Sequence, residues 1–163
     1  MTYRPHGAPG AAGDGGARAT GGGRVLGLDV GEKTVGVAIS DPEGLTAQPL
    51  RTLLRRPDAA ELDQLRELVE EYGVKEVVVG LPTRTDGTAG VEARRVRAFA
   101  QRLQTACGVV VHFVDERFST VQAERMLLEA GLSRRRRRQA INHVVAAILL
   151  DTFLARRRVK GDG

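Results

Sequence analysis

The stretch "RVLGLDVGEKTVGVAIS", from Arg24 to Ser40, contains two apolar segments joined by a short polar turn. Alternating and β-branched side chains in both segments predict a hairpin of two strands. A single acid, Asp29, lies near the end of the first strand. It has two interpretations: an Asp ahead of a glycine often opens a turn, or the sheet holds this carboxylate rigidly for a metal ion or a phosphate. These residues alone leave both interpretations open.

Beyond this hairpin the pattern predicts one more antiparallel strand and then alternating helices and strands. "TAQPLRTLL" predicts a third strand, with Pro49 at an edge or a bulge. A helix follows Asp58, a candidate N-cap, and ends at Gly73. The continuous apolar runs "KEVVVGLP" and "VVVHFV" predict strands buried on both faces. Three more helices are predicted, over about Val91 to Ala106, over "TVQAERMLLEAG" and over "QAINHVVAAILLDTFLARR".

This order of elements predicts an α/β fold with one mixed five-stranded sheet, an antiparallel meander plus parallel strands, and helices on both faces. Residues 24–157 form the predicted folded domain. Residues 1–23 hold 8 of the 20 glycines and almost no large apolar side chains, so we predict a disordered tail; residues 158–163 are a predicted basic tail. Cys107 is the single cysteine, which excludes an internal disulfide. With no signal or membrane segment apparent, a soluble cytoplasmic protein is expected.

Positive charge is concentrated near the carboxyl end of the chain. The last thirty residues have a net charge of +7 and the first 133 a net charge of −2. Most of the excess lies in "RRRRR" (Arg134 to Arg138) and "RRRVK" (Arg156 to Lys160). Such a local field attracts polyanions. For the five-arginine run a nucleic-acid contact is favoured over a solvated loop, whereas for the second cluster a solvated, frayed end is favoured.

Acids follow the ends of two predicted strands, Asp29 on the first and Asp115 and Glu116 on the last. The carboxyl ends of parallel strands are where α/β sheets place their chemistry. Because successive side chains alternate faces, only one of Asp115 and Glu116 can point where Asp29 points. Mg²⁺ takes oxygen ligands of this kind. Glu116 alone is more simply explained by an ion pair with Arg117 or by a helix start; together with Asp29 and the basic run, a metal site is favoured.

Four motifs in order give the chain a family resemblance. "LGLDVGEKTVGVAISD", "VVVGLPTRTDGT", "VDERFST" and the terminal apolar helix resemble the YqgF (RuvX) family of the ribonuclease H-like superfamily, described as Holliday junction resolvases and as nucleases that mature the 5′ end of 16S ribosomal RNA. The resemblance spans roughly residues 24–154. It implies a ribonuclease H-like fold, with Asp29 and Glu116 as catalytic ligands of Mg²⁺ or Mn²⁺ and a loop, Leu81-Pro82 with Asp86-Gly87, beside them.

One position departs from the family pattern. Where the family usually has a third carboxylate, at the start of the final helix, this chain has Asn142 in "INHVVAA". The resemblance therefore implies Asn142 as a third catalytic and metal-ligating position, because an amide oxygen can bind a hard cation without contributing charge. Two alternatives stay open: His143 supplies a proton-transfer group beside the site, or the catalytic power is largely lost. For His143 and His112 a structural role is the simpler interpretation.

The sequence thus predicts a metal-dependent nuclease, acting in 5′-end maturation of the 16S ribosomal RNA precursor, with branched DNA such as Holliday junctions as a second candidate substrate. Arg117 and Arg134, Arg135, Arg136, Arg137 and Arg138 are the predicted nucleic-acid contacts. The expected partner is nucleic acid, for a monomer or homodimer without a membrane. The alternative is a catalytically weakened ribosome-assembly factor. A third interpretation, the phosphate hairpin of actin-like ATPases, needs two domains and does not fit this length.

Overall fold

The computed structural model describes residues 23–83 and 90–160. Most of the predicted N-terminal tail, the loop residues Asp86 and Gly87, and the last three residues lie outside the described residues. The final helix ends at Val159, so the first two residues of the predicted basic tail belong to it.

Five strands form one mixed sheet, as the sequence predicts. Their order across the sheet is β3-β2-β1-β4-β5. The first three strands are antiparallel neighbours, whereas β4 and β5 run parallel to β1. The carboxyl ends of β1, β4 and β5 therefore meet at one edge, which we call the carboxyl edge; the opposite one is the amino edge. The strands are β1 (Val25–Val30), β2 (Thr34–Ser40), β3 (Ala47–Leu54), β4 (Glu76–Leu81) and β5 (Val110–Asp115).

Helices cover both faces of the sheet, because alternate strand residues are apolar on each side. Leu26, Leu28 and Val77 pack in one core with the first two helices, and Val25 and Val78 pack in the other with the last two. The helices are α1 (Ala60–Tyr72), α2 (Val91–Cys107), α3 (Ser119–Glu129) and α4 (Arg134–Val159). The predicted fold class is thus confirmed.

Glycines let α4 lie unusually close to the sheet. A Cβ added at Gly27 would lie 2.8 Å from the Ala146 carbonyl oxygen, and one at Gly36 would lie 2.1 Å from the Asn142 carbonyl oxygen. Both distances are shorter than any real contact of that kind, so the backbones approach only because these residues have no side chain. The amino-terminal half of α4 consequently lies over the carboxyl edge.

Local signals at the element boundaries are mostly confirmed. Pro49 pairs with Ala38 at a register shift in the edge strand β3, and Gly73 ends α1 with a φ of 64°. Asp58 accepts a hydrogen bond from the Ala60 amide (3.2 Å), although the capping position itself is Ala59.

Two predictions of local structure were wrong. The run "VVVHFV" forms β5, but β5 is an outermost strand that pairs with a neighbour on one side only. Val110 and Phe113 of this strand are 56% and 38% exposed. An apolar run cannot reveal strand order, which depends on pairing. The last helix was predicted to begin at Gln139, but α4 begins at Arg134 and the five arginines form its first turns. Ser133 caps the helix by accepting a hydrogen bond from the Arg136 amide, and arginine has a good helix propensity.

Arg156 to Lys160 were expected to be solvated and frayed, yet two of these residues bind the body of the fold. Arg157 donates two hydrogen bonds to Glu76 at the start of β4, and Arg158 donates to the Leu45 carbonyl. They hold the end of α4 at the amino edge. In the described part of the chain, no helix combines the length and the hydropathy needed to cross a membrane.

Candidate active site

The sheet places Asp29 on the face covered by α4. Gly27, two residues earlier on β1, faces Leu150 of α4, and residues two apart on a strand share a face. Asp29 pairs directly with Gly36 of β2, on which the backbone of Asn142 rests. The carboxyl group of Asp29 therefore lies at the carboxyl edge, beneath the amino-terminal half of α4.

Glu116 reaches the same point from the end of β5. A Cβ added at Gly80 would lie 2.9 Å from Glu116 Oε2, and Gly80 follows Val79, which is in register with Leu28. Gly80 thus leaves the space next to Asp29 that Glu116 fills, and the two carboxyl groups are hydrogen-bonded to each other. The structure brings Asp29 and Glu116 together.

The carboxyl pair lacks positive charge. Burial raises the pKa of Asp29 to about 6, although its hydrogen bond with Glu116 opposes the increase. Burial and the neighbouring charge of Asp29 raise the pKa of Glu116 to about 7, so without a cation the two carboxyl groups favour sharing a proton. Among residues 23–83 and 90–160, no Lys or Arg forms an ion pair with either group. Two carboxyl groups without a cationic partner have the oxygen donors that a hard cation such as Mg²⁺ prefers.

Asp115 is directed away from this pair. Bonds from the Arg117 side chain and amide lower the pKa of Asp115 to about 2, with Arg117 Nη2 2.8 Å from Asp115 Oδ2. The Thr83 hydroxyl also donates to Asp115, at 3.1 Å. The predicted separation of Asp115 and Glu116 onto opposite sides is therefore confirmed, and Arg117 is bound to Asp115 rather than to the carboxyl pair.

The backbone of Asn142 crosses β2 next to Asp29, on the same face of the sheet. Its backbone rests on Gly36, the partner of Asp29, and its amide nitrogen donates to Thr34 Oγ1 at 3.1 Å. This bond leaves the amide oxygen as the atom suited to a cation. Within the described ranges no cluster of three or more His, Cys, Asp or Glu is arranged to hold a metal.

His143 and His112 each have a hydrogen-bond partner within the fold. His143 Nδ1 lies 2.9 Å from the Thr52 hydroxyl on β3, and burial lowers the pKa of His143. Because Thr52 is in register with Gly36 and Gly36 with Asp29, the imidazole of His143 is directed to β3, two strands away from Asp29. His112 bonds Glu76 at the amino edge, at 2.8 Å.

A cleft of about 710 Å³ opens over the carboxyl pair. Four arginines line it, together with five carboxylates that include the pair. Sequence reasoning did not find them, since they lie far apart in the chain and none is in a basic run longer than two. Arg55 is held by the Gly31 carbonyl (2.9 Å) and by the buried Glu61, whereas the other three are exposed. The lining arginines are Arg55, Arg56, Arg95 and Arg102.

The five-arginine run lies at the same edge. Asn142 marks where α4 crosses β2 near Asp29, and Ala146 and Leu150 lie further along towards the amino edge. Arg134 to Arg138 are four to eight residues before Asn142, which places them about 6–12 Å beyond it along the helix. Four of the five are exposed and Arg137, which bonds the Leu132 carbonyl, is half-buried.

Comparison with known proteins gives consistent matches over the whole described domain. A family model described as "RuvX: Holliday junction resolvase" matches residues 23–156. A protein of Moorella thermoacetica named "Putative pre-16S rRNA nuclease" is 58% identical over 133 residues, 82% of this chain and 95% of that protein. A Clostridioides difficile protein of the same name is 43% identical, over 81% and 94% of the two chains.

Solved structures support the fold. RuvC of Thermus thermophilus, described in complex with a Holliday junction substrate, superposes with a TM-score of 0.50 at 16% identity, over 83% of this chain and 96% of that one. A second structure of that RuvC has a TM-score of 0.52 at 15% identity. The sheet and helices described above are thus a ribonuclease H-like fold.

Proposed function

This chain belongs to the RuvX family of nucleases, and from that premise we propose that it hydrolyses phosphodiester bonds with a divalent cation held by Asp29 and Glu116. The observation that carries the proposal is the carboxyl pair itself: two acids from different strands, hydrogen-bonded, half-buried and without a cationic partner in the described residues. A structural role would favour a neutralised arrangement, because burying like charges together opposes folding.

The residues present fit Mg²⁺ or Mn²⁺. Both ions take oxygen ligands, and Mg²⁺ commonly uses one or two protein carboxylates together with substrate phosphate. Asp29 and Glu116 supply carboxylate oxygens, and the Asn142 amide oxygen is a third candidate. A divalent cation bound there would lower the pKa of water and stabilise the leaving oxygen. It would also add two positive charges to a cleft that is lined by five carboxylates and four arginines.

The arginines at this edge are suited to holding the phosphate backbone. Arg56, Arg95 and Arg102 are exposed on the cleft wall, and Arg134 to Arg138 extend positive charge beyond the end of α4. Guanidinium groups bind phosphates bidentately without reading bases. Arg117 has its guanidinium on Asp115, so its contribution to a phosphate contact would require that bond to open or to be shared.

We infer the substrate from the relatives' names and the family description. The matched relatives are named for pre-16S ribosomal RNA, which favours 5′-end maturation of that precursor; the family description favours branched DNA as a second substrate. A cleavage assay on 5′-extended 16S precursor RNA and on a four-way DNA junction, each with Mg²⁺, Mn²⁺ or EDTA, tests both. Metal-dependent cleavage that Asp29→Asn removes is expected.

A second candidate function rests on Asn142. If the missing third carboxylate has removed most of the catalytic power, the chain is a nucleic-acid-binding factor in ribosome assembly. It would then bind precursor RNA through the arginines and leave it intact with either metal. Binding without cleavage in the same assay would favour this function over the nuclease.

A further inference from the structure

Phe118, two residues after Glu116, has an exposure and a backbone conformation that are both unfavourable for a phenylalanine. Its side chain is 78% exposed, the highest value for any aromatic residue in the described ranges. Its backbone is in the left-handed region, with φ 68° and ψ −5°. Bulky side chains rarely adopt that conformation. Neither the packing of the fold nor the backbone geometry favours a phenylalanine here.

The turn that contains Phe118 fixes its position. The Ser119 amide donates to the Glu116 carbonyl at 3.1 Å, which makes Glu116 to Ser119 a β-turn with Phe118 third. The φ and ψ of Phe118 are those of the third residue in a type II turn, a position that favours glycine. The turn is secured on one side by the bonds between Arg117 and Asp115 and on the other by the Gln122 amide, which donates to the Phe118 carbonyl at 3.0 Å.

The ring therefore has a fixed origin at the carboxyl edge. Two residues of chain separate it from Glu116, so their Cα atoms are at most about 7 Å apart. Val121, one turn further along α3, is also exposed, so two exposed apolar side chains follow Glu116 closely in the chain. A flat, exposed aromatic surface next to a phosphate-binding site is the usual platform for an unpaired nucleobase.

We propose that Phe118 stacks on an unpaired base of the substrate next to the bond that is cleaved. This inference rests on the proposed nuclease function and adds a substrate requirement to it. A base inside a regular duplex already stacks on its neighbours and cannot cover the ring. The enzyme therefore selects a single-stranded extension or an opened junction arm over continuous duplex at this position.

Phe118→Gly separates this role from a structural one, because the two predict opposite effects on stability. Glycine suits the left-handed position, so the melting temperature should equal or exceed that of the parent. If the ring stacks on a base, affinity for a single-stranded oligonucleotide should fall by about 5- to 100-fold, the range for loss of one base–aromatic contact. Duplex affinity should hardly change. Phe118→Tyr should keep the single-strand affinity of the parent. Phe118→Leu keeps the bulk and the backbone strain but loses the aromatic face, so its single-strand affinity should fall.

The measurements use two readouts. Fluorescence of a single-stranded oligonucleotide carrying 2-aminopurine reports stacking directly, with Asp29→Asn as a shared background that prevents cleavage. On the active background, Phe118→Gly should raise KM for single-stranded substrate and leave kcat nearly unchanged, as expected when ground state and transition state lose the same contact. Val110→Ala is the matched control, since Val110 is an exposed apolar residue at the other end of the strand that leads to Glu116.

Each outcome decides the question. Unchanged single-strand binding in Phe118→Gly, while the parent binds and cleaves, overturns the inference and leaves the nuclease proposal intact. A lower melting temperature, or equal losses on single strands and duplex, assigns the ring a structural role and overturns the inference as well. A parent that neither binds nor cleaves any nucleic acid removes the proposed function, and this inference with it.

Discussion

The two edges of the sheet use the same residue types in opposite ways. At the amino edge Glu76 is bound by Arg157 and His112, and although burial opposes it, these bonds hold the pKa of Glu76 below its usual range. At the carboxyl edge Asp29 and Glu116 face each other, with pKa values raised to about 6 and about 7. At the amino edge, where Glu76 stabilises the fold, the chain itself supplies the cation, Arg157. The pair at the carboxyl edge has no Lys or Arg ion-pair partner in the described residues, which is the basis for the proposed cation site.

The largest expected effect is on catalysis. Asp29→Asn should reduce cleavage by at least about a hundredfold, the lower range for removal of one directly acting group, because a neutral amide holds a divalent cation poorly. Cleavage rates with Mg²⁺ and with Mn²⁺, and circular dichroism to verify the fold, make the measurement. Glu76→Gln is the matched control at the other edge and should still cleave. Equal losses in both variants would mean that the carboxyl pair has no special role.

Stability should respond to pH in opposite directions at the two edges. Without metal, folding raises the pKa of Asp29 from 3.8 to about 6, so the free energy of unfolding decreases as pH rises between these values. Asp29→Asn should therefore increase the free energy of unfolding at pH ~8 by about 3 kcal/mol, and the gain should disappear near pH ~4. Denaturant unfolding in EDTA at the two pH values measures this.

The corresponding variant at the amino edge should behave in the reverse way. The lowered pKa of Glu76 contributes stability above its unfolded value of 4.5 that is lost as pH falls below it. Glu76→Gln should cost about 1–2 kcal/mol at neutral pH, and less in acid. If Asp29→Asn also destabilised the metal-free protein at pH ~8, the carboxyl pair would be a structural hydrogen bond.

Asn142→Asp should increase the negative charge that distinguishes the carboxyl edge from the amino edge. A third carboxylate would add the anionic charge that holds the cation, and the Thr34 hydroxyl that now accepts from Asn142 could donate to the new acid instead. Cleavage in Mg²⁺ should rise about tenfold, which corresponds to about 1.4 kcal/mol of transition-state stabilisation. Unchanged or slower cleavage would show that Asn142 is not a weakened ligand position.

The smallest effects are expected from single arginines at the two ends of α4. Arg135→Gln should weaken binding of all nucleic acids a few-fold and reduce the salt dependence of duplex binding by about 0.9, the value for one phosphate contact. Arg158→Gln, at the amino edge where the side chain bonds the Leu45 carbonyl, should leave that slope unchanged. Affinities titrated against salt concentration make the comparison. Equal slopes for both variants and the parent would return the five-arginine run to a solvated helix end.

Much of the fold and part of the site could be read from local pattern. Alternating and continuous apolar runs predicted the number of strands, Gly73 marked the end of α1, and Pro49 marked an irregularity within β3. Asp29 could be paired in advance with an acid at the end of the last strand, because the carboxyl ends of the two strands share an edge. The alternation of faces allowed only one of Asp115 and Glu116 to face Asp29, and the family resemblance selected Glu116. These features depend on residues close in sequence or on rules that hold for any α/β sheet.

Other features depended on contacts between distant residues. The sequence by itself determined the mixed α/β fold, the acids at the carboxyl edge and the positive charge near the end of the chain. Only the tertiary structure decided that β5 is an outermost strand of the sheet and that Arg157 neutralises Glu76. It also decided that Arg56, Arg95 and Arg102 line the cleft and that Phe118, close to Glu116, is exposed. The physical reason is that burial and charge pairing are set by which segments pack together, and a side chain acquires its partners only when the chain folds.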